Sequence, residues 1–122
     1  MNEQQRKFES YLDDQIAACK QRGRRLAEDD RNDEGNFEKV RANVYEIFKT
    51  ILAVAERVCG KDDRAKRGFF LQKAEQIPMS WTVSYEKAEQ NGDVEKMHIE
   101  RIKLDTIQEI KDMCMQIWEG AT

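Results

Sequence analysis

The chain has 122 residues with one proline and three cysteines, 39% hydrophobic and 37% charged, the charged share well above the roughly 25% of an average globular domain. Its formal net charge of −3 gives no general attraction to phosphate backbones or anionic lipid, which argues against nucleic acid as partner. A chain of this length holds one core, so a single domain over residues 1–122 is expected, built from helices whose narrow apolar stripes leave their outer faces charged.

From about Glu3 to Asp30 the positions Phe8, Leu12, Ile16, Cys19, Gly23 and Leu26 step by four, four, three, four and three, which aligns them on one helix face. Gly23 falls on that stripe, where glycine costs roughly 1 kcal/mol relative to alanine, so the spacing predicts either a close backbone approach or a weak point in the helix. Glu28 to Asn36 contains no apolar residue and reads as a loop, with Asn36 as N-cap of the next helix. From Phe37 to Cys59 the stripe is the strongest in the chain: Phe37, Val40, Val44, Ile47 or Phe48, Ile51, Val54 or Ala55, and Val58. Only another helix or a second copy covers such a face.

Gly60 stops this helix, and Asp62 or Asp63 caps a shorter one over 63–77 with contacts from Ala65, Phe69, Phe70, Ala74 and Ile77. Pro78 ends it or begins the next, because proline is tolerated in a first helical turn and not in an interior. Residues 79–91 mix strand-like Trp81 to Tyr85 with helix formers from Glu86 to Gln90, and without a second strand nearby they read as helix. Asn91-Gly92-Asp93 is a turn followed by an N-cap. A last helix over 94–119 carries Ile99, Ile102, Thr106, Ile110, Cys114 and Ile117 on one stripe, widened by Met97, Leu104, Ile107, Met113 and Trp118.

The expected fold class is therefore all-α, an antiparallel bundle of four to five helices, three long and one or two short. The stripe of the second helix makes a homodimer a reasonable expectation, with Phe37, Val40, Val44, Ile47 and Ile51 as candidate interface residues; the large rings Trp81 and Trp118 either close the ends of the bundle, the favoured reading, or anchor a partner there. The helices over 3–30 and 94–119 carry stripes of similar length, so self-association is permitted and not required. The longest apolar run is Ile51 to Ala55, far short of the roughly 20 residues of a spanning helix, and no signal-like stretch follows Met1 to Lys7. With Cys19, Cys59 and Cys114 scattered and odd in number, a cytoplasmic protein with reduced core cysteines and no membrane contact is expected.

Chemistry is sparse. A lone His98 and three isolated cysteines supply no zinc spacing, and cysteines on apolar stripes behave as small hydrophobes with raised pKa. No phosphate-binding glycine motif appears, so no cofactor is expected. Two basic clusters stand out, Lys20, Arg22, Arg24 and Arg25, then Lys61, Arg64, Lys66 and Arg67. The second, ahead of a helix over 79–91, permits a helix-turn-helix reading, yet that recognition helix offers only Lys87 against Glu86 and Glu89.

Glu86-x-x-Glu89 and Glu109-x-x-Asp112 resemble the E-E-x-x-E and later E-x-x-D pattern of the all-α, magnesium-dependent nucleoside triphosphate pyrophosphohydrolases of the MazG type. The resemblance implies facing helical carboxylates that hold magnesium against a triphosphate. Oxygen ligands at i and i+3 do share a helix face. Tyr85 stands where that family has its first glutamate, and acids at 24 of 122 positions produce such pairs by chance several times over. A tight turn at Asn91-Gly92 also staggers the two pairs by roughly 20 Å at 1.5 Å per residue. The expected function is a helical interaction module without catalytic activity, acting through protein contacts and pairing with its own copy. The alternatives are a pyrophosphohydrolase-like enzyme using Glu86, Glu89, Glu109 and Asp112, and a DNA-binding regulator using Lys61 to Arg67.

Overall fold

The computed structural model describes residues 2–118. Its elements are α1 (Glu3–Glu28), α2 (Asn32–Cys59), α3 (Asp63–Gln76), α4 (Met79–Gln90) and α5 (Val94–Met113), the last continued by a π-helical turn over Cys114–Trp118. α1 and α2 form an antiparallel hairpin in which Gly23 meets Gly35 near the turn and Gln5 reaches Glu56 at the far end. α3 returns along α2, with Lys66 beside Glu56 and Phe70 against Phe48. α5 then runs parallel to α2, from His98 beside Phe37 to Trp118 between Phe8 and Phe70.

α3 and α4 are one broken leg. The backbone stays right-handed helical through Ile77 and Pro78, and the proline sits where a first turn needs no N–H. The bundle thus has four legs, up-down-up-down, and is all-α as expected. The count of long helices differs slightly: α1 and α2 have 26 and 28 residues, α5 has 20, and the third leg is two helices joined end to end.

Two expected caps and one expected stop are realised. Asp62 accepts from the Ala65 N–H and Asp93 from the Lys96 N–H, both at 3.1 Å, while Gly60 ends α2 at φ 62°. The expected loop over 28–36 is wrong. α2 begins at Asn32 after a turn of Asp29 to Arg31, and its N-cap is Arg31, not Asn36. Asp33 and Glu34 favour a helix N-terminus electrostatically, and Gly35 lies against α1, so a polar, low-propensity stretch is held helical by what it touches. The last helix also changes before its expected end: Glu119 lies outside the described residues, and from Cys114 the wider π winding delivers Trp118, 1% exposed, into the core.

The predicted close approach occurs at Gly23. A Cβ built on Gly35 would sit 3.3 Å from the Gly23 carbonyl oxygen, whereas one on Gly23 would find its nearest neighbour at an ordinary 3.6 Å. Gly23→Ala should therefore raise stability by about 1 kcal/mol through helix propensity, and Gly35→Leu should lower it by forcing the helices apart; thermal unfolding of the two variants reads both signs.

The core collects Phe8 and Leu12 from α1, Tyr45, Phe48 and Leu52 from α2, Phe70 from α3, Ile110 from α5, and Trp118. The single stripe expected on α2 is two faces. Gly35, Glu38, Ala42 and Tyr45 meet α1, while Phe37, Val40, Val44 and Ile47 turn toward α5. Val58, the last residue of that stripe, is 63% exposed.

Candidate interaction surface

Because the third leg is broken at Pro78, α4 lies along α5 and leaves an open groove beside α2. Val40, Asn43, Val44 and Ile47 of α2, Trp81 of α4, and Ile99 and Lys103 of α5 line about 370 Å³ of it. α4 is held to α5 by Arg101, which donates to the Tyr85 hydroxyl at 3.0 Å and lies over its ring, and by Lys103 at 5.8 Å from the Trp81 ring centre. Lys103 also donates at 3.2 Å to Glu100, a buried carboxylate whose second oxygen has no hydrogen-bond partner. The groove is thus apolar along its length, with Asn43 and Lys103 as its polar members.

The candidate interface residues divide. Ile47 is 38% exposed at the groove and Trp81 is half-buried across from it. Val40 and Ile51 are half-buried, and Phe37 packs on His98 with ring centres 4.4 Å apart. Val44 and Trp118 are each 1% exposed and belong to the core of the single chain, so as it stands they present nothing to a partner. Residue spacing alone does not distinguish a stripe that is covered from one that is open.

The four carboxylates of the pyrophosphohydrolase resemblance do not converge. Tyr85 against Arg101 sets the α4–α5 register, and Arg101 lies eight residues before Glu109, about 12 Å along the helix axis. Glu109 instead accepts from the Tyr11 hydroxyl at 3.0 Å and Asp112 from Gln108 at 3.1 Å. Among the described residues no three His, Cys, Asp or Glu side chains form a group able to hold a metal ion. Burial first, and Glu109 with it, hold the Tyr11 and Tyr45 phenols well above their ordinary range.

Cys19 lacks the setting of a nucleophile. Burial foremost, then the charge of Glu38, pushes the Cys19 thiol up to about 11. Cys114 is buried, Cys59 is only half-buried and so is not the core residue expected, and none of the three is in a disulfide.

Both basic clusters are partly taken up in pairing. In the larger groove between α1 and α2, about 500 Å³ over Cys19, Gly23 and Ala42, Glu38 is held by Arg22 at 3.3 Å and Arg41 at 2.6 Å, and Lys20 bridges Glu46 at 3.2 Å. In the second cluster Lys66 is 2% exposed and donates to Glu56 at 2.9 Å and to the Gln5 side chain at 3.4 Å, with Asp63 also at 3.4 Å. It cannot reach a phosphate, which removes one of the four cations of the DNA-binding reading. Sequence gave no sign of this burial, since Gln5 and Glu56 lie 61 and 10 residues away.

No protein-family model, curated protein or solved structure matches the chain. Among the described residues no helix is long and apolar enough to cross a membrane.

Proposed function

We propose that this chain is a small cytoplasmic helical interaction module without catalytic activity, which pairs with a second copy of itself along the α2 groove. The observation that carries this is the open groove itself, where Val40, Ile47 and Trp81 present apolar surface that the fourth helix leaves uncovered. Steps of three and four residues on α2 are the spacing by which one helix packs on another, so a second copy supplies a surface of matching period. Of the four carboxylates of the pyrophosphohydrolase reading, Glu109 accepts from Tyr11 and Asp112 from Gln108.

Sedimentation equilibrium should show a concentration-dependent dimer. Ile47→Glu places a charge in the groove at a partly exposed position and should weaken the dimer about tenfold or more, roughly 1.4 kcal/mol, with helical content unchanged by circular dichroism. A wild-type chain that stays at monomer mass into the millimolar range sinks the proposal.

A further inference from the structure

The two ends of α2 carry opposite charge. Where α2 turns into α3, Arg57, Lys61, Arg64 and Arg67 reach solvent. The acids beside them are engaged: Glu56 and Asp63 hold the buried Lys66 at 2.9 and 3.4 Å, and Asp62 caps α3. Among the described residues none of the four cations has an ion pair. At the other end, where α1 turns into α2, Glu28, Asp29, Asp30 and Asp33 are exposed and equally without an ion pair. Arg31, the cation within that turn, is taken by Glu34, and Arg24 and Arg25 lie a turn back along α1. Asp30 to Glu34 line a concavity of about 360 Å³ there.

We infer that this chain also associates end to end, the cationic α2–α3 turn of one copy seated on the acidic α1–α2 turn of the next, its arginines reaching the concavity. Guanidinium groups match carboxylates in charge and in planar geometry, and each end leaves unpaired what the other lacks. The net charge of −3 opposes any pairing of like copies. Screening decides which effect wins: the Debye length is about 10 Å at 0.1 M salt, whereas the 28 residues of α2, at about 1.5 Å each, hold its ends roughly 40 Å apart. Two copies meeting end to end therefore respond to the facing ends and not to the whole chain. Such a head-to-tail contact joins two different surfaces, so it adds copies in a row and does not stop at two. It uses none of the groove residues and does not depend on the pairing proposed above.

Sedimentation velocity at about 0.02 and about 0.5 M salt tests the contact. For wild type the mass should rise with concentration past the dimer at low salt and fall back at high salt. Arg64→Glu with Arg67→Glu makes both ends acidic, and Asp29→Lys with Asp33→Lys makes both cationic. Each double variant alone should lose the low-salt growth, with association at least about tenfold weaker, and an equal mixture of the two should regain it. Circular dichroism at unchanged helical content shows that the variants are folded. Ile47→Glu should leave the low-salt growth intact, because it acts in the groove. A wild-type mass that is the same at both salt concentrations, or a mixture that sediments as its separate components, overturns the end-to-end contact. Wild type that stays unassociated at low salt yet retards a mixed-sequence DNA duplex through Arg64 and Arg67 also overturns it, and gives the cationic end to nucleic acid. A dimer that persists at high salt and is lost in Ile47→Glu survives each of these results, so the two readings fail separately.

Discussion

Phe70→Ala should lower the unfolding free energy by about 4 kcal/mol, the largest loss expected from any single truncation in this chain. Phe70 is fully buried and its ring meets Phe8 at 5.3 Å, Phe48 at 5.9 Å and Trp118 at 5.9 Å, in edge-on arrangements that favour aromatic quadrupoles. These four rings come from α1, α2, α3 and the turn after α5, so one cavity there loosens every leg of the bundle. Phe70→Leu keeps most of the volume and should cost about 1.5 kcal/mol or less. Urea unfolding of the two variants measures both values. A loss below about 1 kcal/mol for the alanine variant would place the packing centre elsewhere.

Lys66→Ala should cost about 2 kcal/mol. The substitution leaves the buried Gln5 carbonyl without its donor and takes from Glu56 and Asp63 the cation they share, with Gln5 and Asn2 still donating to them. Lys66→Met retains the aliphatic stem and should lose less. The same cluster predicts a pH dependence with a sign for each member. The Glu56 hydrogen bond, more than any other cause, raises the Lys66 ammonium above its ordinary 10.5. Its contribution is complete below 10.5 and disappears as pH rises through the higher folded value. Glu56 is lowered from 4.5, chiefly by the bond from Lys66, and Asp63 from 3.8, chiefly by the bond from Asn2. Their contribution is complete above those ordinary values and is lost as pH falls through the folded ones. Stability measured by urea midpoint should be flat near neutrality and fall at both extremes, and in Lys66→Met the alkaline fall should shrink.

Periodicity and caps were legible because their causes are local. Helix faces at Phe8, Leu12 and Cys19 or at Ile102, Thr106 and Ile110, the caps Asp62 and Asp93, and the stop at Gly60 follow from residues within a turn or two of one another. Gly23 was legible for a related reason: a glycine on an apolar stripe needs a neighbour that justifies it, and Gly35 is that neighbour. Where α2 starts was hidden, since Asn32 to Asn36 are helical by virtue of contact with α1 and not by their own preference.

The candidate surface was half legible. The apolar stripe on α2 and Trp81 could be named from composition and spacing, but Val44 and Trp118 were named beside them and lie in the core. Lys66 looked like surface charge, and Glu109 like a member of an acidic pair, until α1 brought Gln5 to the one and Tyr11 to the other.

By itself, then, the amino-acid sequence determined that this is an all-α bundle, where most of its helices begin and end, and which faces are apolar. Hydrophobic period and capping act over a few residues and need no knowledge of the rest of the chain. Only the tertiary structure decided which apolar faces are covered, that Lys66 is buried, that the acidic pairs lie apart, and that α4 leaves a groove beside Ile47. Those outcomes depend on the register and crossing of helices far apart in the chain, set by the packing of many side chains at once, and no short stretch of residues encodes them.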